Sequence, residues 1–130
     1  MSTVENKELV CRYFDERWNQ GNFDICDEVL APPEDSQTTK EQGLDFYNTF
    51  GGDMQLTIRD ILAEGDQVMV HWQSICTHKG EYLGIAATGK QVTFEGIALL
   101  RIINGKIVSD VAYWDNLFLL EQLGAEVRAR

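Results

Sequence analysis

The hydrophobic rhythm of the chain changes once, at Gly51-Gly52. Before it, apolar residues recur at helical spacing; after it, they alternate with polar ones. Leu9, Val10, Tyr13, Phe14 and Trp18 fall three to four apart, which predicts helix 1 from about Thr3 to Asn19. Ser2-Thr3-Val4-Glu5 has the capping-box form, with Ser2 set to cap and Glu5 to reach back. Gln20-Gly21-Asn22 breaks this helix. Phe23 to Leu30 predicts a short second helix anchored by Ile25, Val29 and Leu30, and Ala31-Pro32-Pro33 stops it. Glu34 to Thr39 reads as polar loop. Lys40 to Phe50 predicts helix 3, with Phe46, Tyr47 and Phe50 turned inward.

Beyond the two glycines, Met54, Leu56 and Ile58 alternate with polar neighbours up to Glu64, and Gly65-Asp66 marks a turn. Val68, Val70 and Trp72 alternate with Met69, His71 and Gln73 in a strand reaching about Lys79. Gly80 to Gly89 reads as a loop with room for one short helical turn. Lys90 to Ile103 and Lys106 to Trp114 predict two strands joined at Asn104-Gly105, a strong hairpin signal. Asn116 to Gly124 predicts a short closing helix, and Arg128 and Arg130 a frayed tail. Three helices, four antiparallel strands and a helix make an α+β fold, with helices on one face of a curved sheet. No internal repeat or linker interrupts it, so residues 1–130 read as one domain.

Composition narrows the function classes. A chain of 130 residues with 44% hydrophobic content can bury a core and leave room for a pocket. A formal net charge of -10 repels phosphate backbones, which argues against nucleic acid as a partner. No apolar run approaches the length of a membrane span. The first seven residues lack the basic and apolar regions of a signal peptide, and three cysteines, Cys11, Cys26 and Cys76, make no disulfide framework. Together these predict reduced thiols in a cytoplasmic protein.

Val111-Ala112-Tyr113-Trp114-Asp115 places a carboxylate among aromatic residues at the end of the last strand, where apolar surroundings raise a pKa and suit proton transfer. The other reading of Asp115 is the N-cap of the final helix. Alternation puts Ser109, Val111, Tyr113 and Asp115 on the inner face and Trp114 on the outer one, while Asp110 reads as a solvated strand residue. His71 and His78 fall on opposite faces, Cys76 shares parity with His78 only, and no metal-ligand set emerges. His78 is a candidate for the pocket rim. Phe14, Trp18, Phe50, Trp72 and Phe94 read as core residues, some of them facing a ligand. Gly84 to Lys90 mimics a phosphate loop, but Gln91 stands where Ser or Thr is needed and a strand follows.

The chain resembles the SnoaL-like polyketide cyclases, within the nuclear transport factor 2-like and ketosteroid isomerase-like fold group. The resemblance rests on Tyr13-Phe14 with Trp18-Asn19-Gln20-Gly21-Asn22, Asp27 to Pro32, Ala63-Glu64-Gly65-Asp66-Gln67-Val68, Trp72 and Thr77 to Ile85. It continues in Thr88-Gly89-Lys90, Phe94-Glu95-Gly96-Ile97, Asn104 to Val108 and Trp114-Asp115. It implies a cone-shaped barrel of curved antiparallel sheet with N-terminal helices over its concave face. It also implies a cavity for an apolar ligand and ring closure by an aldol reaction without metal or organic cofactor. The family's acid/base aspartate maps onto Asp115, with Phe14, Trp18, Phe50, Trp72, His78, Phe94 and Tyr113 as candidate ligand contacts. Two differences stand out: members often carry a histidine after helix 2, where Pro33 to Thr39 has none, and Glu-His-Trp where this chain has Ser109-Asp110-Val111. These point to a different substrate, or to a ligand-binding protein.

The expectation is therefore a cofactor-independent cyclase or isomerase acting on an apolar, polyketide-like carbonyl compound. The rival is a non-catalytic small-ligand-binding or dimerisation domain of the same fold. Met69, Ile75, Ile97 and Leu99 on the outer sheet face predict a homodimer.

Overall fold

Residues 2–126 are described by the computed structural model; the expected tail at Arg128 and Arg130 lies outside them. Helix α1 spans Thr3–Phe14 and starts on the expected capping box. Glu5 N–H donates to Ser2 Oγ and Ser2 N–H to Glu5 Oε1, both at 3.1 Å. Val10, Tyr13 and Phe14 form its buried stripe. Its last expected turn differs, because residues Asp15–Asn19 widen into a π-type turn. Asn19 explains the change, since it is clasped to the sheet: its Oδ1 accepts from Leu56 N–H at 2.7 Å and its Nδ2 donates to Leu56 O at 3.0 Å. One wide turn reorients the side chains that follow it, a device common at functional sites.

Helix α2 is only Ile25–Val29. Helix α3 spans Ser36–Phe50 and so begins inside the segment expected to be loop. Asp35 is the reason, because its side chain caps the helix by accepting from Thr38 N–H at 3.2 Å.

Strands β1 (Gln55–Glu64), β2 (Gln67–Thr77), β3 (Gln91–Ile103) and β4 (Lys106–Trp114) form one antiparallel sheet in sequence order. Asn104 and Gly105 both take positive φ at the β3–β4 hairpin, as a tight two-residue turn requires. Helix α4, Asn116–Gln122, closes the fold. Burial alternates strictly along β2 and β3, with Val68, Val70, Trp72, Val92, Phe94, Ala98 and Leu100 turned inward. The helices pack on that concave face, where Val10, Tyr13, Ile25, Val29 and Phe50 complete the core. The expected short helical turn in residues 80–89 is instead a tight bend, with Tyr82 and Ile85 exchanging backbone hydrogen bonds at 2.9 Å.

The last strand carries the main correction. Ile107 pairs with Ile102, but Ser109 pairs with Arg101, so Val108 is an extra residue on β4. One extra residue inverts the phase of everything after it. Ile107 is buried, as odd parity predicts; beyond the bulge, Asp110, Ala112 and Trp114 face inward opposite Leu100, Ala98 and Gly96. Val111 and Tyr113 turn outward beside Leu99 and Ile97. The expected inward set of Ser109, Val111, Tyr113 and Asp115, with Trp114 outside, is therefore reversed.

Candidate functional site

A cavity of about 300 Å³ lies between the helices and the concave sheet. Phe14, Arg17 and Trp18 line it from α1 and the π-turn, and Gln42, Gly43 and Phe46 from α3. Met54 lines it from just before β1, Leu56, Trp72, Ser74 and Phe94 from β1 to β3, and Asp110, Ala112 and Trp114 from β4. The aromatic wall is an edge-to-face chain. Phe46 stands 5.7 Å from Trp18, 5.9 Å from Phe94 and 6.1 Å from Trp114, and Phe94 5.7 Å from Trp72. Gly96 makes this possible: a Cβ there would sit 2.6 Å from the Trp72 ring and 2.9 Å from Trp114 Cβ. The exposed lining residues, Gln42, Ala112 and Trp114, mark the mouth.

Two charged side chains face this wall. Burial pushes the Asp110 carboxyl up to about 6, with Arg17 opposing and Glu34 reinforcing the shift. Asp110 Oδ1 is buried and accepts no hydrogen bond, while its backbone N–H donates to Glu34 Oε1 at 3.0 Å. The Arg17 guanidinium lies 4.7 Å from the centre of the Trp18 ring and 5.2 Å from that of Tyr13. A half-buried acid with an unpartnered oxygen, in a site walled by rings, is suited to taking and returning a proton.

Of the residues singled out in the sequence, Phe14, Trp18, Trp72 and Phe94 meet at this cavity. Phe50 does not; it is fully buried behind Phe46 and stacks on His78 at 5.4 Å. His78 is fully buried away from the rim, and its Nδ1 accepts from Thr88 N–H at 3.1 Å, fastening the loop that follows β2. Tyr113 is 76% exposed on the convex face. Asp115 is exposed, and its Oδ1 accepts from Phe118 N–H at 3.0 Å at the start of α4. Arg17, Phe46, Asp110 and Trp114 were not among the candidates. Arg17 left a trace, a cation inside the apolar stripe between Phe14 and Trp18. Asp110 left none, because the bulge that turns it inward contains neither glycine nor proline. No group of three or more histidine, cysteine or acidic side chains able to hold a metal occurs among the described residues.

The family model described as SnoaL-like polyketide cyclase matches residues 8–123. The chain belongs to this family. Solved structures agree on the fold. AclR, a candidate hydroxylase from Streptomyces galilaeus, is 26% identical over 95% of this chain and 98% of its own, with a TM-score of 0.84. A candidate polyketide cyclase from Acidithiobacillus ferrooxidans shows the same identity, the same coverage of both chains and the same TM-score of 0.84. TsrD from Streptomyces laurentii is 23% identical over 97% of this chain and 99% of its own, with a TM-score of 0.86. No curated protein matches significantly. Within the SnoaL-like family, then, this member has a cone-like curved sheet that is not closed, with an acid and a guanidinium facing an aromatic cavity.

Proposed function

We propose that this SnoaL-like protein is a cofactor-independent cyclase or isomerase for an apolar carbonyl compound, with Asp110 as its acid/base. The observation that carries this reading is the unpartnered Asp110 oxygen in the aromatic cavity. The ionised carboxylate removes a proton from the carbon next to a carbonyl, and the C–H electrons become an enolate. The enolate carbon then attacks a second carbonyl, closing a ring, and the resulting alkoxide takes the proton back from Asp110. In an isomerisation, the proton returns to a different carbon instead. As a base, Asp110 works only when ionised, so the rate rises with pH through about 6 and then levels.

The test needs no knowledge of the natural substrate. In heavy water, 2-tetralone, a two-ring ketone with acidified alpha protons, should exchange them faster with the protein than in buffer, read by proton NMR. Binding without exchange would favour the ligand-binding rival. We assign Asp115 to the cap of α4 instead of to chemistry. Asp115→Ala should therefore cost about 1 kcal/mol of stability by denaturant melting, and leave exchange unchanged. A loss of exchange at full stability would return the chemistry to Asp115.

A second copy of the chain fits the convex face. Leu62, Met69, Leu99 and Val111 lie directly across all four strands, and all four are exposed. Ile97 and Tyr113 extend the row, and His71 sits among them between Asp60 and Glu95, each 3.1 Å away. An apolar band crossing a whole sheet is a self-complementary surface for a two-fold dimer. Light scattering should give a dimer for the native chain and a monomer for Leu99→Glu; a native monomer would discard the dimer. Among the described residues no helix is long and apolar enough to cross a membrane. The free thiols of Cys11, Cys26 and Cys76 suit the reducing cytoplasm.

A further inference from the structure

We infer that the carbonyl compound also carries a carboxylate on its otherwise apolar aromatic body, and that Arg17 is the residue that holds it. This deepens the proposed function and rests on the cavity being a ligand site. Arg17 is the sole cation among the residues lining the cavity. Its side chain forms no ion pair or hydrogen bond among the described residues, and its buried Nε–H has no acceptor. A buried charged donor without an acceptor is costly, and a site that keeps one is built to receive an acceptor from outside.

The surroundings hold the guanidinium in place without a direct ion pair. The Tyr13 and Trp18 rings flank it. On α3, Gly43 keeps space open: a Cβ there would come within 3.2 Å of Arg17 Nη2 and 2.6 Å of the Phe23 ring. Asp110 shares the cavity yet makes no ion pair with Arg17, so the two charges have not collapsed onto each other. A planar carboxylate matches the fork of a guanidinium, which a lone carbonyl oxygen does not. The ligand's rings then fall against Trp18, Phe46 and Trp114. The net charge of -10 works against loose anion binding on the surface, which leaves this internal cation as the selective one.

Asp110 adds a pH dependence. The groups around it are Arg17 from the π-turn, Tyr13 from α1 and Glu34 from the loop after α2, and α3 contributes only the uncharged Gln42 and Gly43 beside Phe46. Below about 6 the carboxyl is neutral and stops repelling an anion. Carboxylate ligands therefore bind more tightly below that pH and neutral ketones do not.

Calorimetry with 2-naphthoate and its neutral analogue 2-acetylnaphthalene tests this in the native chain, Arg17→Gln and Arg17→Lys, about one pH unit to each side of 6. The native chain should prefer the acid by about tenfold or more, as a charge-assisted pair allows. Arg17→Gln should abolish the preference and keep ketone affinity, and Arg17→Lys should retain part of it. Equal affinity for acid and ketone in the native chain, or an undiminished preference in Arg17→Gln, would overturn the inference and leave the proposed function standing. Binding of neither compound would overturn both. Melting temperatures of both variants separate a lost contact from a lost fold.

Discussion

Asp110→Asn should slow alpha-proton exchange by a factor of about 10²–10⁴, the usual worth of a positioned acid/base. The same substitution should raise the melting temperature at neutral pH. The Asp110 carboxyl is raised from 3.8 to about 6 in the fold, chiefly by burial. Between those values the native state binds more of its proton than the unfolded chain does. Its contribution to stability is therefore fullest below about 4 and is lost as pH rises through about 6. Asparagine cannot ionise, so the variant escapes that loss, and its melting curve flattens across the interval. A residue whose removal weakens activity while strengthening the fold is serving the reaction at the expense of stability. The opposite pair of outcomes, exchange retained and stability lost, would make Asp110 a structural carboxylate.

Phe50→Ala should destabilise the fold by about 3–5 kcal/mol. Phe50 is fully buried, with ring centres of Phe46 and Tyr82 at 5.0 Å, His78 at 5.4 Å and Phe94 at 6.0 Å. Nothing nearby can fill the void, because these neighbours are held by other contacts: Phe46 by the cavity wall and His78 by Thr88. The loss should lower the melting temperature by roughly 10 °C or more. Urea denaturation gives the free energy directly. A cost below about 1 kcal/mol would mean that the site collapses freely and that Phe50 is not a rigid part of the core.

Much of the architecture could be read from residue spacing. The capping box at Ser2 and Glu5, the alternation through β2 and β3 and the Asn104-Gly105 turn are local signals with local causes. The site was less legible because its two charged residues depend on irregularities fixed by distant partners. Arg17 sits in a π-turn tied to Leu56 through Asn19, and Asp110 follows a bulge defined by pairing with Arg101 and Ile102. Neither irregularity has a breaker residue of its own. Phe50 and Phe94 could not be told apart as core and lining, since both are aromatic rings at inward positions. Only the packing around them separates a ring that faces a void from one that fills it.

The chain has three tryptophans, and Trp18, Trp72 and Trp114 all line the cavity. The indole emission of the protein therefore comes from the walls of one chamber. Any molecule that enters displaces solvent from those rings or quenches them, and the light changes colour or dims. The protein is its own optical gauge of occupancy, needing no label. A collection of candidate compounds can be sorted by emission alone before any reaction is sought.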